Sequence, residues 1–355
     1  MALDKRLRRL LIVAIVASVL SLMAVFALSF GVQREELIAS LSRLNPAVFA
    51  IAIGLHAGAL LLWAARLYAL ADGSGHTQSP WVCIEAVFSS VFAAAVTPAR
   101  FGGEPVRFGI LTSRDMPPRE GSLIVLLERG LDILLFILLG VWAFVELVPR
   151  LPRSALLALV VPVSIVFLIG LILVPLLILF KPRAAHPVLD LVEGLVGEDR
   201  TARAKEWLVV ETARMRRALA TVLGRKPSRF GFAVVATILS WMLEFGVLYY
   251  LLNVGFGHQI PFITVALGAA LVSVLTTIPL LPGGSGLAEA GVLGVFTPFT
   301  EGLTATFVLV WRASTYYVDI VVGGVIAMRF AGAETMRVLS GDDEPDEQPP
   351  TPGEA

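Results

Sequence analysis

The stretch at residues 97–107, TPARFGGEPVR, decides how the rest of the chain is interpreted. It follows an apolar run at residues 81–96 and combines two prolines, two adjacent glycines, two arginines and a glutamate. Backbone groups freed by such a break cannot face lipid, so the break is expected to be buried in protein or to line a wet cavity. The sequence therefore predicts a broken membrane helix at residues 81–111.

A second stretch of the same kind lies at residues 278–291, IPLLPGGSGLAEAG. An apolar run leads into Pro279 and Pro282, and the glycines that follow precede Glu289; these glycines are Gly283, Gly284 and Gly286. Two broken hydrophobic segments at corresponding positions in two halves of a chain are the sequence pattern of a transporter's binding site.

The composition is that of a polytopic membrane protein, with 57% hydrophobic and 16% charged residues in a chain of 355. Several apolar runs reach the roughly 20 residues needed to cross a bilayer. The predicted fold is all-α, with two broken-helix hairpins and about six full spans, at residues 10–30, 46–70, 123–147, 154–180, 230–252 and 303–330. We interpret the hairpins, residues 81–111 and 261–299, as re-entrant, and a tilted full crossing at each is the alternative.

The distribution of basic residues gives the orientation. With the N-terminus in the cytoplasm and both hairpins re-entrant, twenty of the 28 Lys and Arg residues fall on the cytoplasmic side and four in outer loops. The first half, residues 1–180, then runs opposite to the second, residues 230–330, which predicts an inverted-topology repeat. Residues 181–229 form a cytoplasmic linker, read as a basic amphipathic helix on anionic lipid or as a plain connection. The acidic, proline-rich tail at 331–355 is expected to be disordered.

Residue spacing supports the repeat. From Pro98 to Arg129 is 31 residues, and from Pro282 to Arg312 is 30. Each arginine is followed on its predicted span by an acid, Asp132 in the first half and Asp319 in the second.

Ionisable side chains inside spans cost about 2.5–3.5 kcal/mol each and are usually paired or functional. Glu128 and Asp132 stand four residues apart on one predicted helical face. In the last span, polar side chains recur at helical spacing and are expected to face the bundle interior; they are Arg312, Thr315, Tyr316 and Asp319.

The site hypothesis follows from these residues. Four arginines are predicted to form an electropositive cavity that binds a phosphate by bidentate hydrogen bonds: Arg100, Arg107, Arg129 and Arg312. The glycine-rich tips, with Gly102 and Gly103 in one and Pro282 to Gly286 in the other, allow backbone N–H groups to approach the anion. Four acids are predicted to balance the arginines in the empty site or to carry protons: Glu104, Asp132, Glu289 and Asp319. Glu128 and Tyr316 are included among the predicted substrate-binding residues.

The alternative interpretation is purely structural. Arg129–Asp132 and Arg312–Asp319 would then be ion pairs that fasten the hairpins, while Glu104 and Glu289 cap helices at the breaks. His56 is interpreted as a satisfied core histidine.

The remaining ionisable residues are weaker candidates for the site. Glu85 and Glu244 lie in apolar runs without an obvious partner, and each is interpreted as a proton site or as a partner in an interhelical hydrogen bond. A single cysteine, Cys83, excludes a disulfide framework, and the four histidines show no metal-ligand spacing, so no metal or cofactor is expected.

The motifs TPARFGGEPVRFGIL, LLERGLD, LLPGGSGLAEAGV and WRASTYYVDIVVG resemble the flippase-like transmembrane domain of lysylphosphatidylglycerol synthases and its stand-alone relatives, some encoded near glycolipid or hopanoid pathways. The resemblance covers about residues 8 to 330. It implies a helical domain with broken helices that moves an anionic or aminoacylated lipid between leaflets. No polar segment here is long enough for the aminoacyltransferase domain of the bifunctional members, so aminoacyl transfer is not expected.

These observations favour a lipid flippase, not an enzyme, in a bacterial-type inner membrane with both termini cytoplasmic. Its expected partners are anionic, aminoacylated or polyprenyl-linked membrane lipids and no nucleic acid, with a second copy of the chain or a lipid-synthesis enzyme left open. An accessory subunit of a lipid or glycolipid pathway, and an enzyme acting on lipid phosphates, are the alternatives.

Overall fold

The computed structural model describes residues 45–97, 100, 102–150, 166, 169–170, 173–174, 176–191, 197–275, 287–300 and 305–330. Every regular element in this part of the chain is helical, which confirms the all-α prediction there. The predicted span at 10–30, most of that at 154–180, the second glycine-rich tip with Pro282 to Gly286, and the tail at 331–355 lie outside the described residues.

Between residues 45 and 146, the described part of the first half forms the α-helices α1 (Pro46–Ser74), α2 (Pro80–Val96), α3 (Gly103–Thr112) and α4 (Pro118–Glu146). Local sequence fixes their ends. Asn45 caps α1 by accepting a hydrogen bond from the Ala47 amide at 2.9 Å, and Gly75 ends it with a left-handed φ of 93°. Ser79 caps α2 in the same way, with a proline at the first helical position.

The linker contains the short helix α5 (His186–Leu191) and α6 (Glu198–Arg225). The second half then has α7 (Pro227–Tyr250), which continues through a π turn at Leu251–Gly255, followed by α8 (Phe262–Leu275), α9 (Leu287–Phe296) and the last helix, α10 (Thr306–Phe330). The succession of long helix, shorter apolar helix, ten-residue helix and long helix is therefore present in both halves.

Both broken segments fold back on themselves. In the first, a Cβ placed on Gly103 would lie 3.3 Å from Ala94, while Arg107 donates a hydrogen bond to Ser90, so α3 runs back along α2. In the second, Gly291 lies against Val272 and Gly268 against Phe296, so α9 runs back along α8. Each segment is a helical hairpin, as predicted. Re-entry and the opposed directions of the halves stay predictions.

Three helices of the described chain are long and apolar enough to cross a membrane, Pro46–Ser74, Pro227–Gly255 and Thr306–Phe330. They coincide with three of the predicted spans. The helix α4, with 29 residues, is also long enough, but it carries Glu128, Arg129 and Asp132 in its middle. These helices are those of a multi-pass membrane protein.

The core is built on α1 and α7, which pack along their lengths, so that a Cβ on Gly58 would come within 3.3 Å of Leu243. The last helix packs on the first hairpin. A Cβ on Gly323 would lie 2.5 Å from the Phe88 carbonyl oxygen, which only a glycine permits, and the Tyr316 hydroxyl donates to the Ala95 carbonyl at 3.2 Å. The two halves are thus in direct contact beside the first glycine-rich break.

Candidate functional site

A buried arginine on α1 organises the centre of the first half. Arg66 is 1% exposed and is the largest fully covered side chain of the described residues. Its guanidinium donates to both carboxylate oxygens of Asp132, at 2.6 and 3.3 Å, and to Glu128 at 3.1 Å. It also donates to the Thr237 hydroxyl at 3.2 Å, which joins α1 and α4 to α7.

A second arginine completes this group. Arg107, on α3, donates to Glu128 at 2.9 Å and to the Ser90 hydroxyl at 2.9 Å. Its guanidinium lies 4.4 Å from the centroid of the Trp63 ring, and the indole N–H of Trp63 donates to Glu128 at 3.0 Å.

We call this group the Arg66 network; its charged members are Arg66, Arg107, Glu128 and Asp132. Two positive and two negative charges balance, all four side chains are buried, and Trp241 on α7 donates a further hydrogen bond to Asp132 at 2.9 Å. Buried charges that are paired in this way avoid the cost of an unpaired charge, so the network fastens α1, α3, α4 and α7 together.

The second half has a smaller pair of the same kind. Arg312 on α10 donates from Nε to Glu289 on α9 at 2.8 Å, and both residues are buried. The guanidinium also lies 4.8 Å from the Tyr316 ring centroid. One terminal nitrogen of Arg312 makes no hydrogen bond to the described residues. Glu289 makes a further interaction besides this pair.

Arg129 lies in a different environment although it follows Glu128 directly. Its side chain is 42% exposed, and it forms an ion pair with Glu104 in the first turn of α3. Arg100, at the hairpin break, is exposed and lies close enough to Arg129 for the two positive charges to repel each other. Two cationic side chains therefore remain accessible at the first break, and Glu104 pairs with one of them.

Short polar contacts connect the described residues on the two sides of the break. The Thr97 hydroxyl donates to the Ala93 carbonyl and accepts from the Gly102 amide, each at 2.8 Å. A Cβ on Gly102 would lie 2.7 Å from the Thr97 side chain, so this close approach requires glycine. Arg100 has a φ of 61°, in the left-handed region that non-glycine residues rarely adopt. Such strain is typical of functional sites.

A third group of charges joins the halves near α10. Nδ1 of His56 on α1 lies 2.8 Å from Glu244 on α7, and Nε2 lies 3.0 Å from Asp319 on α10. We call these three residues the His56 triad. His56 was predicted to be a core histidine with its hydrogen bonds satisfied. It is buried, and both of its ring nitrogens have carboxylate partners. Glu244 thus has a partner that the sequence did not suggest.

The pairings predicted in the structural interpretation are wrong in detail. Asp132 contacts Arg66, and Arg129 contacts Glu104; Asp319 contacts His56, and Arg312 contacts Glu289. In both cases a side chain on a neighbouring helix supplies the close partner, so the acid and the arginine of one helix form separate ion pairs. Glu104 and Glu289 lie in the first turns of their helices, and each forms an ion pair with an arginine of another helix. The polar stripe of the last span is buried, which confirms that it faces the interior.

The structure divides the predicted site residues into groups. Arg107, Glu128 and Asp132 belong to the Arg66 network. Arg100, Gly102, Gly103, Glu104 and Arg129 meet at the first break, and Glu289, Arg312 and Tyr316 lie together near the second. Arg66, Trp63 and Trp241 were not among the predicted site residues. An arginine inside an apolar span was a signal for the first of them, but nothing in the sequence identified its partners.

An open cavity of about 450 Å³ lies between the start of α1 and the middle of α10. Its lining is mostly apolar, and it includes Phe49, Leu309, Val310 and Ala313. Such a lining suits hydrocarbon and not a charged headgroup.

Comparison with known proteins agrees with the motifs noted above. The family described as the lysylphosphatidylglycerol synthase TM region matches residues 11–323. A UPF0104 membrane protein of Archaeoglobus fulgidus is 27% identical over 316 residues, which cover 85% of this chain and 92% of the relative. A UPF0104 membrane protein of Methanothermobacter thermautotrophicus is 25% identical over 68% of this chain and 72% of its own length. One of Pyrococcus horikoshii is 21% identical over 83% and 90%.

Proposed function

Because the chain belongs to the lysylphosphatidylglycerol synthase TM region family, we propose that it moves a phosphate-bearing lipid between membrane leaflets. The substrate class is an anionic, aminoacylated or polyprenyl-linked lipid, whose common feature is a phosphate group. Arg100 and Arg129, at the first glycine-rich break, are the proposed contacts to that phosphate.

The observation that carries this proposal is the difference among the four arginines predicted to bind the anion. Arg107 and Arg312 are buried in ion pairs, whereas Arg100 and Arg129 remain accessible. Arg129 lies about 16 Å along a helix of about 43 Å, close to its middle. A positive charge at such a depth is costly unless it faces an aqueous cavity or a lipid headgroup.

The chemistry of the break supports an anionic ligand. A guanidinium group can give two parallel hydrogen bonds to a phosphate, and two adjacent guanidinium groups that repel each other gain from an anion between them. The first turn of α3, starting at Gly103, places the positive end of a helix at the same point. Glu104 pairs with Arg129, so a lipid phosphate would exchange with an internal carboxylate.

Movement between leaflets would follow the pattern of transporters built from two halves. In these proteins one half rocks against the other around a site near the midplane. The two hairpins, the repeated succession of helices and the contact of α10 with the first hairpin support such a movement here.

The proposal is tested by lipid exchange in vesicles. The full chain is reconstituted into phosphatidylethanolamine and phosphatidylglycerol, and the loss of fluorescent phosphatidylglycerol to an external quencher is followed. Removing one charged hydrogen-bond partner costs about 1.5–3 kcal/mol, so Arg129→Ala is expected to slow exchange about ten- to hundredfold. Arg119→Ala, which removes an exposed arginine paired with Glu211 at the start of the same helix, is the matched control.

The substrate class is tested with the same vesicles. The protein should accelerate the exchange of fluorescent phosphatidylglycerol and lysyl-phosphatidylglycerol over protein-free vesicles, and should not accelerate that of a fluorescent ceramide, which has no phosphate. Equal rates in vesicles with and without the protein would refute transport of these lipids. Equal rates for wild type and Arg129→Ala would refute the assigned headgroup contact.

A further inference from the structure

The His56 triad is a second polar site, separate from the arginines at the break. Its members come from three helices and from both halves of the chain. His56 and Asp319 are buried, whereas the Glu244 side chain is 29% exposed. The Asp319 end of the triad is therefore enclosed in the protein, and the Glu244 end is partly exposed at the protein surface.

The two contacts of the histidine fix the number of protons in the triad. Distances of 2.8 and 3.0 Å are those of hydrogen bonds, and each requires a hydrogen between nitrogen and oxygen. A neutral histidine carries a hydrogen on only one ring nitrogen. The triad therefore holds one additional proton, on the imidazole or on a carboxyl group, and carries a single net negative charge.

The other charged groups around α1 are already paired among the described residues. The groups that act on His56 itself are Glu244 on α7 and Asp319 on α10. Glu85 on α2 lies by Arg114, the acids of α4 belong to the Arg66 network, Arg312 on α10 is held by Glu289, and Asp72 at the end of α1 contacts Lys226 and Arg229. Among the described residues, Glu244 and Asp319 are thus the bases in direct contact with His56 that can share the additional proton.

We propose that the His56 triad takes up and releases one proton in step with lipid movement, so that a proton gradient drives the transport. This inference rests on the proposed function. On release, the proton passes from the triad to water through the accessible carboxylate of Glu244, and the net charge of the triad changes from one negative charge to two.

Release of the proton changes the packing of α10. Without it, one contact of His56 has no hydrogen, and the facing nitrogen and oxygen lone pairs repel each other. The contact between α1 and α7 is fixed along the length of both helices, so Asp319 is the partner that can move. Asp319 begins a π turn, Asp319–Gly323, just after the helix is interrupted at Thr315. Such irregular turns are frequent where helices bend and at functional sites.

The last helix can pass this change to the lipid site. It carries Tyr316, whose hydroxyl is bonded to Ala95, two residues before the break at Thr97. Gly323 and Gly324 also pack directly on Phe88 and Phe92 of the first hairpin. A shift of α10 would therefore move the hairpin that presents Arg100.

A pH gradient across the same vesicles tests the proposal. If one proton accompanies each lipid, a gradient of about one pH unit shifts the distribution of fluorescent phosphatidylglycerol between leaflets up to about tenfold. Lipid exchange should move protons, measured by a pH-sensitive dye inside the vesicles, and a protonophore should abolish the shift. His56→Gln and Asp319→Asn should abolish the response to the gradient, whereas Glu146→Gln, an exposed acid at the end of α4, should keep it.

The outcomes separate this inference from the proposed function. Wild-type protein that exchanges phosphatidylglycerol but shows neither a shifted distribution nor proton movement refutes proton coupling and leaves lipid transport standing. Absence of any exchange refutes the proposed function and the coupling with it. This wild-type measurement does not depend on whether the variants fold, and size-exclusion chromatography identifies variants that do not.

Discussion

Two faces of the helix α4 place charged side chains in different environments. Glu128 and Asp132 point into the Arg66 network, where Glu128 is fully buried. Arg129 points about 100° around the helix from Glu128, where its side chain is 42% exposed and pairs with Glu104 at the start of α3. Three charged residues within five positions therefore belong to a closed site and to an open one.

The difference separates two roles that ionic residues have in membranes. In the Arg66 network every charge has a partner of opposite sign, which makes the group rigid and specific but leaves little capacity for a ligand. At the first break the positive charges outnumber the acid beside them, so an anion can still be gained. Stability is expected to depend on the first face and lipid exchange on the second.

The strongest test of the closed face is removal of its central residue. Arg66→Ala leaves Asp132 and Glu128 buried with too little positive charge, and breaking a buried pair in this way costs about 3–5 kcal/mol. We expect a large fall in the thermal stability of the protein in detergent, measured by the loss of the monodisperse peak after heating.

Arg119→Ala is the control for this change, because it removes an exposed arginine near the start of α4. Exposed ion pairs contribute about 0–1 kcal/mol, so its midpoint should stay near that of the wild type. Equal midpoints for Arg66→Ala and the wild type would show that the network does not hold the helices together.

The second test concerns the first hairpin, which contacts both faces of α4 through Arg107 and Glu104. Gly102→Ala places a Cβ 2.8 Å from the Ala93 carbonyl oxygen, a backbone atom that cannot move away without shifting α2. Overpacking of this kind costs about 1–3 kcal/mol. We expect lower thermal stability together with slower lipid exchange, because Arg100 is positioned by the same turn.

A matched glycine lies in the middle of α3. An added Cβ at Gly109 meets no described atom within 4 Å, so Gly109→Ala should be neutral or stabilising by up to about 1 kcal/mol. If both substitutions had the same effect, the close approach at Gly102 would not explain the shape of the break.

A smaller change probes one hydrogen bond of the closed face. Ser90→Ala removes the hydroxyl that accepts from Arg107, and the loss of one such bond is expected to lower stability by about 1 kcal/mol. Ser122→Ala removes a hydroxyl that bonds only to the Pro118 carbonyl among the described residues. The difference between their unfolding midpoints measures the contribution of the Arg107–Ser90 hydrogen bond to stability. Equal midpoints would show that this hydrogen bond does not stabilise the protein.

The sequence predicted the kind of elements here and not the partners of their charges. Proline, adjacent glycines and the apolar runs identified both hairpins, because backbone irregularity follows from local residue types. The polar stripe of α10 was predicted from its helical spacing, which also depends on one element only. The contacts of Arg66 with Asp132 and of His56 with Glu244 join residues 66 and 188 positions apart, and they depend on how the helices pack.

The last prediction concerns the open face, where removal of a charged group is expected to strengthen lipid binding and not to weaken it. Glu104→Gln removes the acid that occupies Arg129 and should change stability by no more than about 1 kcal/mol, because this pair is partly exposed. The freed guanidinium would then bind phosphatidylglycerol more tightly by a few-fold, since the lipid phosphate no longer has to displace an internal carboxylate. Binding is measured by titrating the protein in detergent with short-chain phosphatidylglycerol, and the gain should shrink as salt is added. Glu128→Gln is the comparison, because it neutralises an acid on the closed face and should lower stability without strengthening lipid binding. If the two variants bound lipid equally, the two faces of α4 would not differ in the way that their geometry indicates.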